Sequence, residues 1–209
     1  MALNVRDIAL ADLGTVARIH RDAFPRSALG ALGSEAVRRY YHWQLVGPHD
    51  ALALGALLDD ALVGFCFAGV FRGALSGFVR ANRAFLIWSV VRRPWLLTSP
   101  LLRERVRLAV RSGRPPSGRV VADRGVPREG DGSFGVLSIA VDPRFSGRGI
   151  GTTLMDGAEG AARSRGFASM SLTVEPHNEQ AVRFYEHLGW TRALREGMWN
   201  GMMTKAIAR

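Results

Sequence analysis

Lysine is almost missing from this chain: of its 28 basic side chains all but Lys205 are arginine. A phosphate loop of the Walker type needs a lysine directly after its glycines, so that reading is excluded. Cysteine is equally scarce. The lone Cys66 lies in an apolar run and can form no internal disulfide, which fits a small buried hydrophobe in a reducing compartment. No His/Cys cluster has metal-ligand spacing, and no metal is expected. The opening Met-Ala-Leu-Asn-Val-Arg-Asp lacks the basic-then-apolar order of a secretion signal, so a cytoplasmic protein is expected. No internal repeat is evident. The apolar stretch from Ala51 to Val70 has the length of a membrane helix, but Asp59 and Asp60 at its midpoint would be costly in lipid. It reads instead as two strands, Ala51–Leu58 and Leu62–Val70, joined by a hairpin turn.

What is present suits one folded domain of 209 residues, 47% of them hydrophobic. A strand is predicted over Asn4–Ile8 and a helix over Asp12–Ala23, with Leu13, Val16, Ala17 and His20 on one face and Pro25 beyond its end. Ser34 suits the cap of a second helix that aligns Val37, Tyr40, Tyr41 and Leu45. The second half alternates: strand Phe134–Val141, helix Ile150–Arg165, strand Ala168–Val174, helix Glu179–Leu188. A closing hairpin follows, Thr191–Arg195 with Met198–Ile207. Strand, helix, strand in this order makes a parallel pair with a right-handed crossover.

Charge is concentrated in one segment. Of 28 basic and 18 acidic residues, eleven arginines and Glu104 lie within Phe71–Arg119, leaving 17 of each sign elsewhere. The entire formal excess of +10 therefore belongs to this insert. Two helical pieces are predicted in it, Phe78–Val91 and Leu101–Ser112, separated by Arg92-Arg93-Pro94 and Pro100. Phe85, Leu86, Trp88, Trp95, Leu96 and Leu97 add apolar surface. Three readings fit: a helical lid with arginines in water, a basic pocket wall for an anionic acceptor, and an amphipathic segment at an anionic membrane. Nucleic acid fits poorly, because no binding motif accompanies the charge. Pro115–Gly132 reads as loop or short edge strand.

The chain is organised around Ser138-Ile-Ala-Val-Asp-Pro-Arg-Phe-Ser-Gly-Arg-Gly-Ile-Gly151, where a β-branched strand ends, glycines permit a tight turn and a helix begins. The first N–H groups of a helix lack internal partners and carry the positive end of its dipole, so the turn reads as a phosphate cradle. A dinucleotide fingerprint would want a glycine at Thr152 or Leu154 and a turn directly after the strand, with Glu175 as the ribose-binding acid; here Asp142–Ser146 intervene. The second half of the pattern is Asn178-Glu-Gln-Ala-Val-Arg-Phe-Tyr-Glu-His-Leu-Gly-Trp190. Over Val136–Trp190 the chain closely resembles the GNAT superfamily of acyl-CoA-dependent N-acetyltransferases, and more weakly over Asn4–Gly69. The family's turn begins with Arg or Gln where this chain has Ser146.

The resemblance implies an α/β fold, a mixed central sheet flanked by helices and here carrying the arginine-rich insert, and acetyl-CoA as acyl donor. It implies that the pyrophosphate lies on the N–H groups of Gly147, Arg148, Gly149, Ile150, Gly151 and Thr152. The pantetheine arm would pair with backbone at Ile139 and Val141 where two parallel strands splay. An N–H near Ala140 or Val141 would polarise the thioester. Asn178, seven residues before Tyr185, would touch the cofactor, and the Tyr185 phenol would protonate the departing thiolate. Asn178 also suits a helix N-cap, and Tyr185 a packed aromatic. Where relatives place a basic glutamate this chain has Thr173; Glu175 would project to the same side if the strand continued that far. His177 and a water chain are the other options for the base. The opening helices would wall an acceptor pocket, with Tyr40, Tyr41 and Trp43 near it. The expected activity is acetyl transfer to a primary amine, small-molecule or peptide. The competing class is a non-catalytic acyl-CoA-binding or membrane-associated protein, to which Ser146, Thr173 and the insert are the pointers.

Overall fold

The computed structural model describes residues 2–92 and 133–207. Seven strands form one sheet in the order β1-β2-β3-β4-β5-β7-β6. They are β1 Leu3–Asp7, β2 Asp50–Leu58, β3 Ala61–Val70, β4 Phe134–Val141, β5 Ser169–Thr173, β6 Thr191–Arg195 and β7 Met198–Ala206. Every neighbouring pair is antiparallel except β4 and β5. The β2–β3 hairpin turns at Asp59 and Asp60, with φ of 49° and 65°. Two successive positive φ values match the right-handed twist of the strands they join, and Asp tolerates that region better than most residues.

Helices cover both faces. On one lie α1 Leu13–Ala23, α3 Ser34–Val46 and α4 Ala74–Ala81, and on the other α6 Ile150–Ser164 and α7 Glu179–His187. Short α2 Ala28–Ala31 links α1 to α3, and α5 Arg83–Val91 follows α4. Strand alternation divides the core. Phe65 and Phe67 pack with Leu13, Val16, Ile19, Val37 and Tyr41, whereas Cys66 packs with Ile150, Leu154, Met170 and Tyr185. Each fully buried phenylalanine contributes about 2 kcal/mol of hydrophobic stabilisation.

Several expectations are corrected. Helix α3 is capped by Gly33, with φ of 97°, and Ser34 is its first residue; the Ser34 hydroxyl instead accepts a 2.7 Å bond from Arg21. The single helix expected over Phe78–Val91 is two helices. Asn82 divides them, leaving the helical region at φ −115° while its amide donates to the Phe78 carbonyl at 3.1 Å. The Asn side chain competes with the backbone for that carbonyl, which is why it breaks a helix that apolar periodicity alone would continue. Helix α2, capped by Ser27, was not expected. The expected helix Leu101–Ser112, and Trp95 with it, lies outside the described residues.

Candidate active site

Strand β4 is held along one edge and open along the other. Its register with β3 runs from Gly135 to Val141, whereas its register with β5 covers Phe134–Val136 alone. Among the described residues nothing pairs with Leu137–Val141 on the β5 side, so the two parallel strands splay. The Asp142 N–H bonds the Val63 carbonyl at 2.8 Å. Antiparallel alternation then turns the backbone groups of Ala140 toward β3 and those of Ile139 and Val141 into the gap. Of the two N–H groups expected near a thioester, that of Val141 faces the opening and that of Ala140 does not.

The turn after β4 is anchored by a residue that sequence reasoning passed over. The Asp142 carboxylate, 1% exposed, accepts from the Arg144 backbone N–H (3.1 Å), from Arg144 Nε (3.0 Å) and Nη2 (2.8 Å), and from Arg18 Nη1 on α1 (2.8 Å). Hydrogen bonds from Arg144 and then Arg18 hold this carboxyl far below the usual carboxylate range. The Asp-Pro pair after a strand signals a cap; the Arg18 contact, 124 residues away in sequence, has no local signal.

Gly147 and Gly149 have φ of 76° and 74°, and a Cβ at either would meet nothing within 4 Å. Backbone conformation, not space, demands glycine there. Gly149 caps α6 without any side-chain bond, and among the described residues no side chain bonds the first N–H groups of this helix, from Ile150 to Thr152, which follow the exposed turn at Gly147 to Gly149. Gly151 differs: a Cβ there would come within 3.2 Å of Phe184 Cζ, so its smallness lets α7 approach α6. Arg148 lies over the Phe145 ring at 5.4 Å.

Tyr185 is buried on α7, edge-on to Phe184 and Trp190 at 5.2 and 6.1 Å between ring centres. Burial pushes its phenol above the ordinary value, with the nearby Cys66 thiol acting in the same direction. The ring belongs to the cluster against which Ile139 and Val141 pack, which puts it on the α6 face of the gap. The Asn178 Oδ1 caps α7 by accepting from the Ala181 N–H at 3.1 Å. Glu175 does not continue the strand. Strand β5 ends at Thr173, the Val174 N–H bonds the Gly201 carbonyl at 2.9 Å, and Glu175 opens an exposed turn closed by the Asn178 N–H. The period-two relation to Thr173 is lost, and His177 is exposed in the same turn.

The opening aromatics separate. Tyr41 is fully buried and reaches β4, bonding Ser138 Oγ at 2.9 Å and His20 Nδ1 at 2.9 Å. Tyr40 packs edge-on to Phe78, and Trp43 lies against Gly77 and His49, away from the gap. Among the described residues no helix is long and apolar enough to cross a membrane, and no three His, Cys, Asp or Glu side chains cluster as a metal site.

A mixed sheet opened between two parallel strands, beside an uncapped glycine turn, defines an acetyltransferase fold of the GNAT type. Residues 107–190 match the model of the Acetyltransferase (GNAT) family. The fold is shared by PaiA N-acetyltransferase from Thermoplasma acidophilum in complex with coenzyme A, at 15% identity and a TM-score of 0.59 over 99% of each chain. It is shared by ribosomal-protein-alanine N-acetyltransferase from Brucella melitensis, at 17% identity and 0.57 over 97% of this chain and 99% of that one. In sequence, a mycothiol acetyltransferase of Streptosporangium roseum is 39% identical over 69 residues, which span 30% of this chain and 20% of the relative. An uncharacterized N-acetyltransferase of Methanocaldococcus jannaschii is 46% identical over 55 residues, 26% of this chain and 24% of the relative. The family match is confined to residues 107–190, the fold is shared with solved N-acetyltransferases, and the chain spans about a fifth to a quarter of the length of these two curated relatives.

Proposed function

We propose that the protein transfers an acetyl group from acetyl-CoA to a primary amine by direct attack within a ternary complex. The observation that carries this reading is the splay of β4 from β5 with the Ile139 and Val141 backbone turned into it, ending at an uncapped helix N-terminus. A pantetheine arm has amide donors and acceptors at strand spacing and pairs there as an added strand does. Its pyrophosphate then falls on the N–H groups of Gly147, Arg148, Gly149, Ile150, Gly151 and Thr152, where the positive end of the α6 dipole favours anions. The Val141 N–H polarises the thioester oxygen. The Tyr185 phenol, kept protonated by burial, gives its proton to the departing sulfur. Asn178 keeps its amide NH2 for the cofactor while its oxygen caps α7. Glu175 and His177 lie in the exposed turn after β5 rather than on the strand, and stay candidates for the base beside a water chain. PaiA with coenzyme A, and the mycothiol and ribosomal-protein-alanine acetyltransferases, support the donor and an amine acceptor.

Free-thiol release from acetyl-CoA with glucosamine, spermidine and an alanine-terminated tetrapeptide tests the reading. Amine-dependent release is expected; cofactor binding without release would favour an acyl-CoA-binding protein. One observation favours an additional peripheral membrane contact: α5 exposes Ile87, Trp88 and Val91 at 55%, 52% and 70%, with Arg92 stacked on Trp88 at 3.9 Å. Apolar side chains beside arginine suit an anionic bilayer surface. Anionic liposomes at low salt should then sediment the protein and neutral ones should not.

A further inference from the structure

Behind β4, on the face away from α6, a continuous line of polar side chains crosses the helical layer. Ser138 is the one side chain of β4 with a hydroxyl or charge, and it stands within the stretch that β5 leaves unpaired. Its Oγ lies 2.9 Å from Tyr41 Oη, which lies 2.9 Å from His20 Nδ1. His20 Nε2 lies 3.1 Å from Ser27 Oγ. Tyr41 is fully buried, His20 is 7% exposed, and Ser138 and Ser27 are half-buried at the two ends. Placing this line in a packed core is costly unless every member is paired, and here each is.

One tautomer gives the line a direction. With the His20 proton on Nε2, the ring donates to Ser27 Oγ, which also accepts the Gly30 N–H that caps α2. His20 Nδ1 is then the bare acceptor and receives the Tyr41 O–H. Tyr41 Oη in turn receives the Ser138 O–H, and among the described residues no donor bonds the Ser138 lone pairs. Burial holds His20 down at about 4, so the ring is neutral and available near pH 7.

We propose that Ser138, Tyr41 and His20 form the proton relay that serves the attacking amine, an inference that rests on the acetyl-transfer reading above. Ser138 Oγ accepts an N–H of the amine and turns the nitrogen lone pair toward the thioester carbon. As the C–N bond forms the nitrogen becomes a stronger acid. Its proton passes to Ser138, the Ser138 proton to Tyr41, and the Tyr41 proton to His20 Nδ1, while the Nε2–H stays on Ser27. The C–S bond then breaks, and the thiolate takes a proton from Tyr185. Once the amide has left and water enters, the imidazolium, disfavoured by its burial, returns its proton through Tyr41 and Ser138 to water, and the Tyr185 phenolate takes one back from water, so the cycle closes without net proton change. Ser138 touches substrate; Tyr41 and His20 act through it. Base catalysis thus needs no glutamate at Thr173.

Steady-state rates with acetyl-CoA and the three amines named above decide the matter. Ser138→Ala and Tyr41→Phe should each lower kcat about 100-fold, leaving KM for acetyl-CoA within about twofold and changing the solvent deuterium isotope effect on kcat. Ser138→Thr, which restores the hydroxyl, should recover most of the rate lost in Ser138→Ala. If Tyr41→Phe is unstable, the Ser138 pair carries the test alone, since that side chain is half-buried. A folded Ser138→Ala with the kcat and isotope effect of the parent protein would overturn the relay and leave the transferase reading standing. Equal loss in Ser138→Ala and Ser138→Thr would also overturn it. Absence of thiol release by the parent protein on all three amines would defeat the transferase reading and the relay together.

Discussion

The two faces of β4 are built on opposite principles. On the α6 face the proposed cofactor site is mostly backbone: Ile139 and Val141 turn peptide groups into the gap, Gly147 and Gly149 shape a turn, and α6 begins there with no side-chain cap. Tyr185 and Asn178 are the side chains proposed to act there, and the others fill the core. On the α1 and α3 face the proposed relay is made of side chains, with Ser138, Tyr41, His20 and Ser27 in one hydrogen-bonded line. A backbone site tolerates substitution until the conformation changes, whereas a side-chain site fails at the loss of one atom.

The predictions test that contrast. The largest expected effect is on chemistry: Tyr185→Phe should lower kcat about 100-fold while acetyl-CoA affinity, measured by calorimetry, stays the same. Equal loss in both would remove the phenol's role as acid. Next is acid stability. The His20 pKa falls from 6.5 in the unfolded chain to about 4 in the folded one. Below pH 6.5 the unfolded chain therefore binds a proton that the folded chain refuses, and stability declines until about pH 4. The loss amounts to about 3 kcal/mol across that window. Urea titrations from pH 7 to pH 4 should show it, and His20→Gln should flatten the slope; an unchanged slope would mean that His20 is not buried neutral.

Smaller effects follow in the turn. Asp142→Asn keeps a side-chain acceptor but removes the charge facing Arg144 and Arg18, and should cost about 2 kcal/mol, read as a lower urea midpoint. Full stability in this variant would show that α1 and the turn are not tied. Gly149→Ala places a Cβ at φ of 74° in open space, so strain of about 1 kcal/mol is expected. Acetyl-CoA affinity should fall by a similar factor with kcat preserved. A larger kcat effect would contradict a purely conformational role for the glycine.

Legibility in the sequence followed the same division. Strand β4 matches its predicted bounds, and the Asp59-Asp60 turn and the α6 start at Ile150 lie where glycine, aspartate and periodicity placed them. These are local decisions. Asn82 was misread because its competition for the Phe78 carbonyl depends on the helix around it. Glu175 was tied to the strand only on the condition that the strand reached it, and β5 ends two residues earlier, since pairing with β7 passes at Gly201 into a turn that no periodicity announces. The His20, Tyr41 and Ser138 line was invisible, because the helical pattern assigns His20 and Tyr41 to core faces without saying that they meet.

By itself the sequence determined which segments become strands and helices, and where the backbone can turn, because steric limits and apolar periodicity act within a few residues. Only the tertiary structure decided that β4 parts from β5, that Arg18 reaches Asp142, and that a buried imidazole stands behind Ser138. Those outcomes depend on contacts between segments distant in the chain, set when the two helical layers close on the sheet and most of the polar atoms they bury must find a partner.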